Sequence, residues 1–208
     1  MHHGCALASF LIFLMKKFAA LIALAIASVG VAQAQTPAAA TGLRPFLGAG
    51  LTFGGDDLST VRYTDGTSET VKAGGVVQLT GGVDYRINSD FSLQTSISYH
   101  ADSTSGSNGS VTFSRLPIEL IGYYNVSPEW RIGVGARYVG SVKLSGSGAA
   151  NGINASFDNT VGALIEGEYL MNDKVGLKIR FVSEKFTESY SKVKVSGNHI
   201  GGFANYYF

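Results

Sequence analysis

From Phe46 to Phe208 the apolar residues recur at every second position, the period of half-buried β-strands, and no helical stripe interrupts them. The alternation predicts eight strands: residues 46–53, 77–87, 91–101, 111–124, 130–144, 157–169, 175–183 and 193–208. In the second, Val77, Leu79, Val83, Tyr85 and Ile87 share one face, while Gln78, Thr80, Asp84 and Arg86 share the other. The third sets Phe91, Leu93, Ile97 and Tyr99 against Ser92, Gln94, Ser96, Ser98 and His100. The fifth sets Trp130, Ile132, Val134, Ala136, Tyr138 and Val142 against Arg131, Gly133, Gly135, Arg137 and Lys143. Val175, Leu177, Ile179 and Phe181 oppose Lys178 and Arg180 in the seventh. One face is uncharged and the other carries nearly all the charge.

The connections alternate in length. Three short ones (88–90, 125–129 and 170–174) alternate with four long ones rich in Gly, Ser, Thr, Asn and Asp (54–76, 102–110, 145–156 and 184–192). In an up-and-down arrangement every short turn falls on one side and every long loop on the other, the asymmetry of outer-membrane barrels. A soluble eight-stranded barrel of the lipocalin kind uses the same alternation with its apolar face inward. The aromatic residues argue against that rival. Tyr85, Phe91, Tyr124, Trp130 and Tyr169, with Tyr206 and Phe208, lie on the apolar face close to the short turns or the C-terminus. Phe53, Tyr99, Tyr138 and Phe157 lie near the opposite ends. Two aromatic belts are what a bilayer selects, and lipid also forces closure, because an unpaired sheet edge there costs several kcal/mol per exposed amide. The expected fold is therefore all-β, an eight-stranded antiparallel up-and-down transmembrane β-barrel.

Ile200, Gly202, Ala204, Tyr206 and Phe208 share the lipid-facing side of the last strand. A terminal Phe behind such an alternation resembles the C-terminal signature by which the barrel assembly machinery recognises bacterial outer-membrane proteins. The stretch LPIELIGYYNVSPEWRIGVGARY, Leu116 to Tyr138, is similar to the central hairpin of the small porin-like, OmpX and opacity-type β-barrels. The resemblance spans nearly all of Phe46 to Phe208 and implies architecture more than activity. The apolar phase slips twice, between Phe113 and Leu116 and between Val195 and Ile200, and each slip reads as a bulge or as a strand end above the membrane.

Composition agrees with a secreted membrane protein. Met15 opens MKKFAALIALAIASVGVAQA, a positive start, an apolar core and the small-residue end Ala32-Gln33-Ala34, the layout of a signal peptide cleaved before Gln35. The chain then divides into a signal peptide over 1–34, with Met15 as the alternative start, a periplasmic lead over 35–45 and a barrel over 46–208. Cys5, the single cysteine, lies in the removed segment. Removing Lys16 and Lys17 from the 16 basic residues leaves 14 against 15 acidic ones, a balance that offers no nucleic-acid stripe.

By parity the lumen receives Asp84, Glu119, Glu166 and Glu168 as acids, with Arg86, Arg131, Arg137, Lys143, Lys178 and Arg180 as bases. Glycines 48, 50, 82, 133, 135, 162 and 176 leave them room. An eight-stranded barrel is just wide enough for side chains to fill it, so an ion-paired plug is expected. Glu166 and Glu168 could serve as catalytic carboxylates, but nearby bases favour neutralisation. His100 and His199 also point inward, on strands that are not neighbours and without a third ligand. His100-Ala101-Asp102-Ser103 offers the residue types of a hydrolase without its geometry. Asp56, Asp57, Asp65 and Glu69 surround an Asp65-Gly66 hairpin tip but lack a calcium-loop spacing. The expectation is a barrel with no catalytic residue, metal or cofactor. Its partners are outer-membrane lipids and lipopolysaccharide, the assembly machinery and a host or extracellular ligand at the loops. It is expected to be monomeric, with short turns periplasmic and long loops extracellular, its role envelope integrity, adhesion or surface recognition. A narrow channel for small or amphipathic solutes and an outer-leaflet lipid-modifying enzyme are the alternatives.

Overall fold

The computed structural model describes residues 42–62, 68–105 and 109–208, so the expected signal peptide and the Asp65-Gly66 tip lie outside the described residues. Thirteen strands follow one another: β1 (Gly42–Gly54), β2 (Asp57–Arg62), β3 (Ser68–Lys72), β4 (Val76–Arg86), β5 (Phe91–Ser105), β6 (Gly109–Asn125), β7 (Trp130–Gly148), β8 (Asn154–Ser156), β9 (Thr160–Leu170), β10 (Val175–Ser183), β11 (Lys185–Thr187), β12 (Lys194–Ser196) and β13 (His199–Tyr207). Eight of them close on themselves in the order β6-β5-β4-β1-β13-β10-β9-β7, with β7 paired back to β6. Every pairing is antiparallel. No described helix is long and apolar enough to cross a membrane.

The short connections close by one device. Asn88 Oδ1 accepts from the amides of Asp90 and Phe91, and Asn172 Oδ1 accepts from those of Lys174 and Val175, at 2.8–2.9 Å. Ser127 Oγ does the same for Glu129 and Trp130. A side chain that takes two amides reverses the chain without spare residues.

Lipid-length strands need about 9–11 residues, yet β5 has 15, β6 has 17 and β7 has 19. The surplus overhangs at the long-loop end, where β8 pairs with β7. The hairpins β2–β3 and β11–β12 fold over the same end. Residues expected as open loops therefore continue as strand. Val111 and Phe113 alternate with Ser110, Thr112 and Ser114, a pattern that sustains pairing beyond the membrane.

Several boundaries differ from the sequence expectation. β1 starts at Gly42, so Arg44 and Pro45 belong to the wall and not to a lead segment. β9 starts at Thr160, and Phe157 turns inward to the cluster of Phe113 and Phe186 instead of joining an outer belt. The slip before Ile200 is a strand end: β12 stops at Ser196 and β13 begins at His199.

The slip before Leu116 has another cause. β6 keeps strict alternation, with Val111, Phe113, Arg115, Pro117, Glu119, Ile121 and Tyr123 all buried. The irregularity sits on its neighbour. Ser114 opposes Lys143 and Leu116 opposes Gly140, so Ser141 and Val142 face the single residue Arg115. Ser141 adopts φ 52°, and this bulge flips the parity of β7 beyond it. Val142 and Leu144 turn inward, and Lys143, expected in the lumen, turns outward.

Candidate functional site

The interior is built in two storeys. At the short-turn end Arg131 binds Asp84 at 2.8 Å and Glu168 at 2.7 Å, while Arg44 holds the second Asp84 oxygen at 2.8 Å. Tyr207 donates to Glu168 at 2.6 Å and accepts from Arg131 at 2.8 Å. One level higher, Lys178 donates to Glu166, Gln94 and Tyr123 at 2.6–2.8 Å, and Tyr123 donates to Glu166. Arg180 then bridges Glu166 at 2.6 Å and Glu119 at 2.9 Å. Arg137 reaches Glu119 at 3.6 Å and Glu184 at 3.1 Å. All of these groups except the partly exposed Arg44 are almost fully buried, and each acid named receives at least one cation, the condition under which buried charge is tolerated.

Small residues make the room. A Cβ on Gly176 would lie 2.1 Å from Glu168 Oε1, and one on Gly133 would lie 2.7 Å from the Tyr123 ring. A larger residue at either position would displace the ladder.

Above Arg137 the lining changes. His100 Nε2 contacts Thr52 Oγ1 at 2.8 Å and Arg115 at 3.0 Å, and the rings of His100 and His199 meet edge to face at 5.2 Å. Strand adjacency did not foretell this contact: across so narrow a lumen, inward residues of distant strands touch. No group of three metal-ligating side chains exists among the described residues. Arg115 lies over the Phe113 and Phe186 rings at 5.0 and 5.8 Å. Beyond it stands an apolar cap of Val71, Ala73, Val111, Phe113, Val139, Val142, Leu144, Phe157 and Phe186.

Of the ten lumen residues named from sequence, Asp84, Glu119, Arg131, Arg137, Glu166, Glu168, Lys178 and Arg180 join the ladder. Arg86 is only half-buried at the short-turn end and forms no ion pair among the described residues, and Lys143 faces outward. Sequence reasoning missed Arg44, Arg115, Glu184, Tyr123 and Tyr207. Arg115 and Tyr123 stood at inward parity on β6, and weight given to that parity would have found them.

Other candidates disperse. His100 and Asp102 are buried while Ser103 faces out, so the three form no triad. Asp56 accepts from the Ser196 amide at 2.7 Å, Asp57 pairs with Lys72 at 2.6 Å, and Glu69 accepts from Thr104. On the outside, Tyr85, Phe91, Tyr124, Trp130 and Tyr169 stand exposed around the short turns, with ring pairs Phe91–Tyr124 at 5.6 Å and Trp130–Tyr169 at 4.9 Å. Ile200, Gly202, Ala204, Tyr206 and Phe208 lie along the outer face of β13, and the Phe208 amide donates to Pro45 O at 3.0 Å.

Comparison with known proteins places this architecture. No curated protein sequence matches the chain. Neisserial surface protein A is similar in structure, with a TM-score of 0.49 and 14% identity over 83% of this chain and 100% of that one. Ail, the attachment invasion locus protein of Yersinia pestis, solved in complex with the heparin analogue sucrose octasulfate, gives 0.51 and 13% over 80% and 97%. OprG from Pseudomonas aeruginosa gives 0.44 and 12% over 81% and 96%. At these identities the likeness concerns the fold. The family model of the outer membrane protein beta-barrel domain matches residues 19–181, and the structure supplies the closing strand beyond that range. A closed eight-stranded wall, apolar outside and charged within, matched by that model over most of its length, makes this chain a member of the outer membrane protein beta-barrel domain family.

Proposed function

We propose that this chain is a sealed, non-enzymatic barrel that displays its long loops outside the cell for surface recognition or adhesion and braces the envelope around it. The observation that carries this reading is the double closure of the interior, by the ion-paired ladder from Asp84 to Glu184 and by the apolar cap around Phe113. Channels need a polar path that binds weakly, and here the ladder cations Arg131, Arg137, Lys178 and Arg180 are committed to carboxylates. The overhanging strands of β5, β6 and β7 support display, because they hold the loop end as paired sheet.

Under the same proposal residues 1–34 are a cleaved signal, short turns face the periplasm, the chain acts as a monomer, and the β13 stripe ending at Phe208 engages the assembly machinery. The heparin analogue bound to Ail makes an extracellular sulfated glycan one ligand class to test at the loops. Two measurements decide the reading. Planar-bilayer recording of the purified chain is expected to give no unitary current, and protease added to intact cells is expected to cut the long loops. A reproducible conductance, or complete resistance of those loops, overturns it. An altered lipid A or phospholipid profile on expression would move the chain to the enzymes.

A further inference from the structure

Outside the lumen, a cleft of about 570 Å³ opens between the β7–β8 arm and the segment that follows β11. Its walls carry Lys143, Ser145, Asn154, Ser156, Glu188 and Tyr190. That volume falls within the range of about 300–1,000 Å³ typical of small-ligand sites. The polar groups are of three kinds.

Lys143 is an exposed cation that forms no ion pair among the described residues, whereas Lys192 nearby is held by Asp158 at 3.1 Å. The serines and Asn154 supply hydroxyl and amide groups. Glu188 accepts from the Tyr190 amide at 3.1 Å and from the Ser191 amide, so its carboxylate braces the turn and does not neutralise Lys143. Ser191 and the Tyr190 amide also keep the Glu188 carboxyl below its ordinary range, leaving it an acceptor at neutral pH. Tyr190 is 95% exposed, and its ring has no aromatic or cationic partner among the described residues. A free cation, several hydroxyl and amide groups, one acid and a bare aromatic ring together match a sugar that bears an anionic substituent. The hydroxyls of such a sugar would bond to Glu188 and the serines, a C–H face would lie on Tyr190, and the anion would meet Lys143.

The position of the cleft selects the source. Lys143 is exposed on the outward wall of β7, beyond the belt residue Tyr138 and so above the hydrocarbon, whereas the mouth of the barrel is covered by the cap. It is five residues beyond Tyr138, an outward aromatic at the headgroup level. At about 3.3 Å per residue on a strand tilted about 40°, that separation is roughly 12 Å of height. Lipid-linked sugars occupy that depth in an outer leaflet.

We propose that the cleft between the β7–β8 arm and Tyr190 binds the anionic inner sugars of a saccharide-bearing lipid in the surrounding outer leaflet, fixing the barrel to its lipid neighbours. This rests on the outward orientation of the long loops, which the intact-cell protease assay measures separately.

The test uses the full chain in phosphatidylethanolamine nanodiscs doped either with lipid A alone or with lipopolysaccharide carrying a phosphorylated inner core, and native mass spectrometry counts the bound lipid. The wild type should retain the core-bearing form over lipid A. Lys143→Gln should lower that retention about tenfold, the equivalent of about 1.4 kcal/mol for one charge-assisted contact, and Tyr190→Ala should lower it several-fold. Lys174→Gln at a short turn should leave it unchanged. Both cleft side chains are exposed, so heat-modifiable migration on gels should confirm that every variant folds. Equal retention of the two lipids by the wild type, or undiminished retention by Lys143→Gln, overturns the proposal. So does Lys143-dependent binding of soluble sucrose octasulfate without retention of the core-bearing lipid, which would make the cleft a receptor for free glycans.

Discussion

On the short-turn side of Arg115 the wall of the barrel turns its charges inward and its aliphatics outward, and on the long-loop side it does the reverse. Along β6 alone, Glu119, Ile121 and Tyr123 fill the lumen while Leu116, Ile118 and Leu120 face out, whereas Val111 and Phe113 fill the cap while Thr112 and Ser114 are turned away from it. The backbone phase of β6 does not change across this boundary; the solvent does. Where hydrocarbon bathes the outside, the apolar face goes to lipid and the interior must pair its charges. Where water bathes the outside, the hydrophobic effect gathers the apolar face at the centre, as in any soluble domain. Arg115 stands at the crossing, its guanidinium over Phe113 and beside His100.

The sharpest way to break this comparison is to remove one node from the charged storey. Glu166 alone joins Lys178 to Arg180. Glu166→Leu takes the shared carboxylate from two buried cations, leaving Arg180 with Glu119 alone and Lys178 with Glu168 at 3.9 Å, and unfolding by urea in detergent micelles should show a loss of about 3–5 kcal/mol. Glu166→Gln keeps the shape and part of the hydrogen bonding, so its loss should be clearly smaller. If both variants lie within error of the wild type, the lower storey is not held by its ion pairs.

The cap should respond differently. Phe186 packs edge to face on Phe113 at 5.7 Å and near Phe157 at 6.4 Å. Phe186→Ala should cost about 3 kcal/mol, felt as local opening. Hydrogen exchange should quicken in β2–β3 and β11–β12 and stay slow in β9 and β10. The pore should remain silent in bilayers because the ladder beneath is intact; a current here would assign the seal to the cap alone.

How much of this was legible in the chain follows from the same boundary. Within the membrane the alternation, the aromatic belts and the inward acids could be read by parity, because one solvent arrangement holds throughout Leu116 to Tyr138. Above it parity misled in two ways. At Phe113 the strand keeps its phase and the preferred core changes, which in letters looks like a slip. At Ser141 the strand does slip, yet Val142, Lys143 and Leu144 still alternate, so nothing in that triplet reports the bulge. Glu184 and Arg44 escaped because they sit at the ends of strands, where alternation gives the least warning of direction. The meeting of His100 with His199 was hidden for a different reason: contacts across a lumen depend on barrel diameter, which no local pattern encodes.

Adjacent substitutions at the bulge sharpen the point with a smaller effect. Val142→Lys forces an ammonium toward the cap and should cost about 2 kcal/mol, softened because the long side chain can bend toward water. Lys143→Val should stay within about 0.5 kcal/mol. Single cysteines at the two positions give an independent reading: a membrane-impermeant maleimide should label position 143 on intact cells and leave 142 untouched. The opposite pattern would restore unbroken parity to β7.

The smallest expected effect separates charge pairs by where they sit. Lys72 and Asp57 meet at 2.6 Å, as close as the buried pairs, but both side chains are about half exposed or more. Their attraction competes with water and is screened over about 8–10 Å by ordinary salt, so Lys72→Ala should cost between about 0 and 1 kcal/mol. Raising sodium chloride from 0.1 to 1 M should erase that difference, while the penalty of Glu166→Leu, shielded from counterions inside the wall, should persist. Distance alone therefore does not rank these contacts. If the two penalties fell together with salt, the lumen would be open to ions, and both the ladder and the cap would have to be read as the lining of a pore.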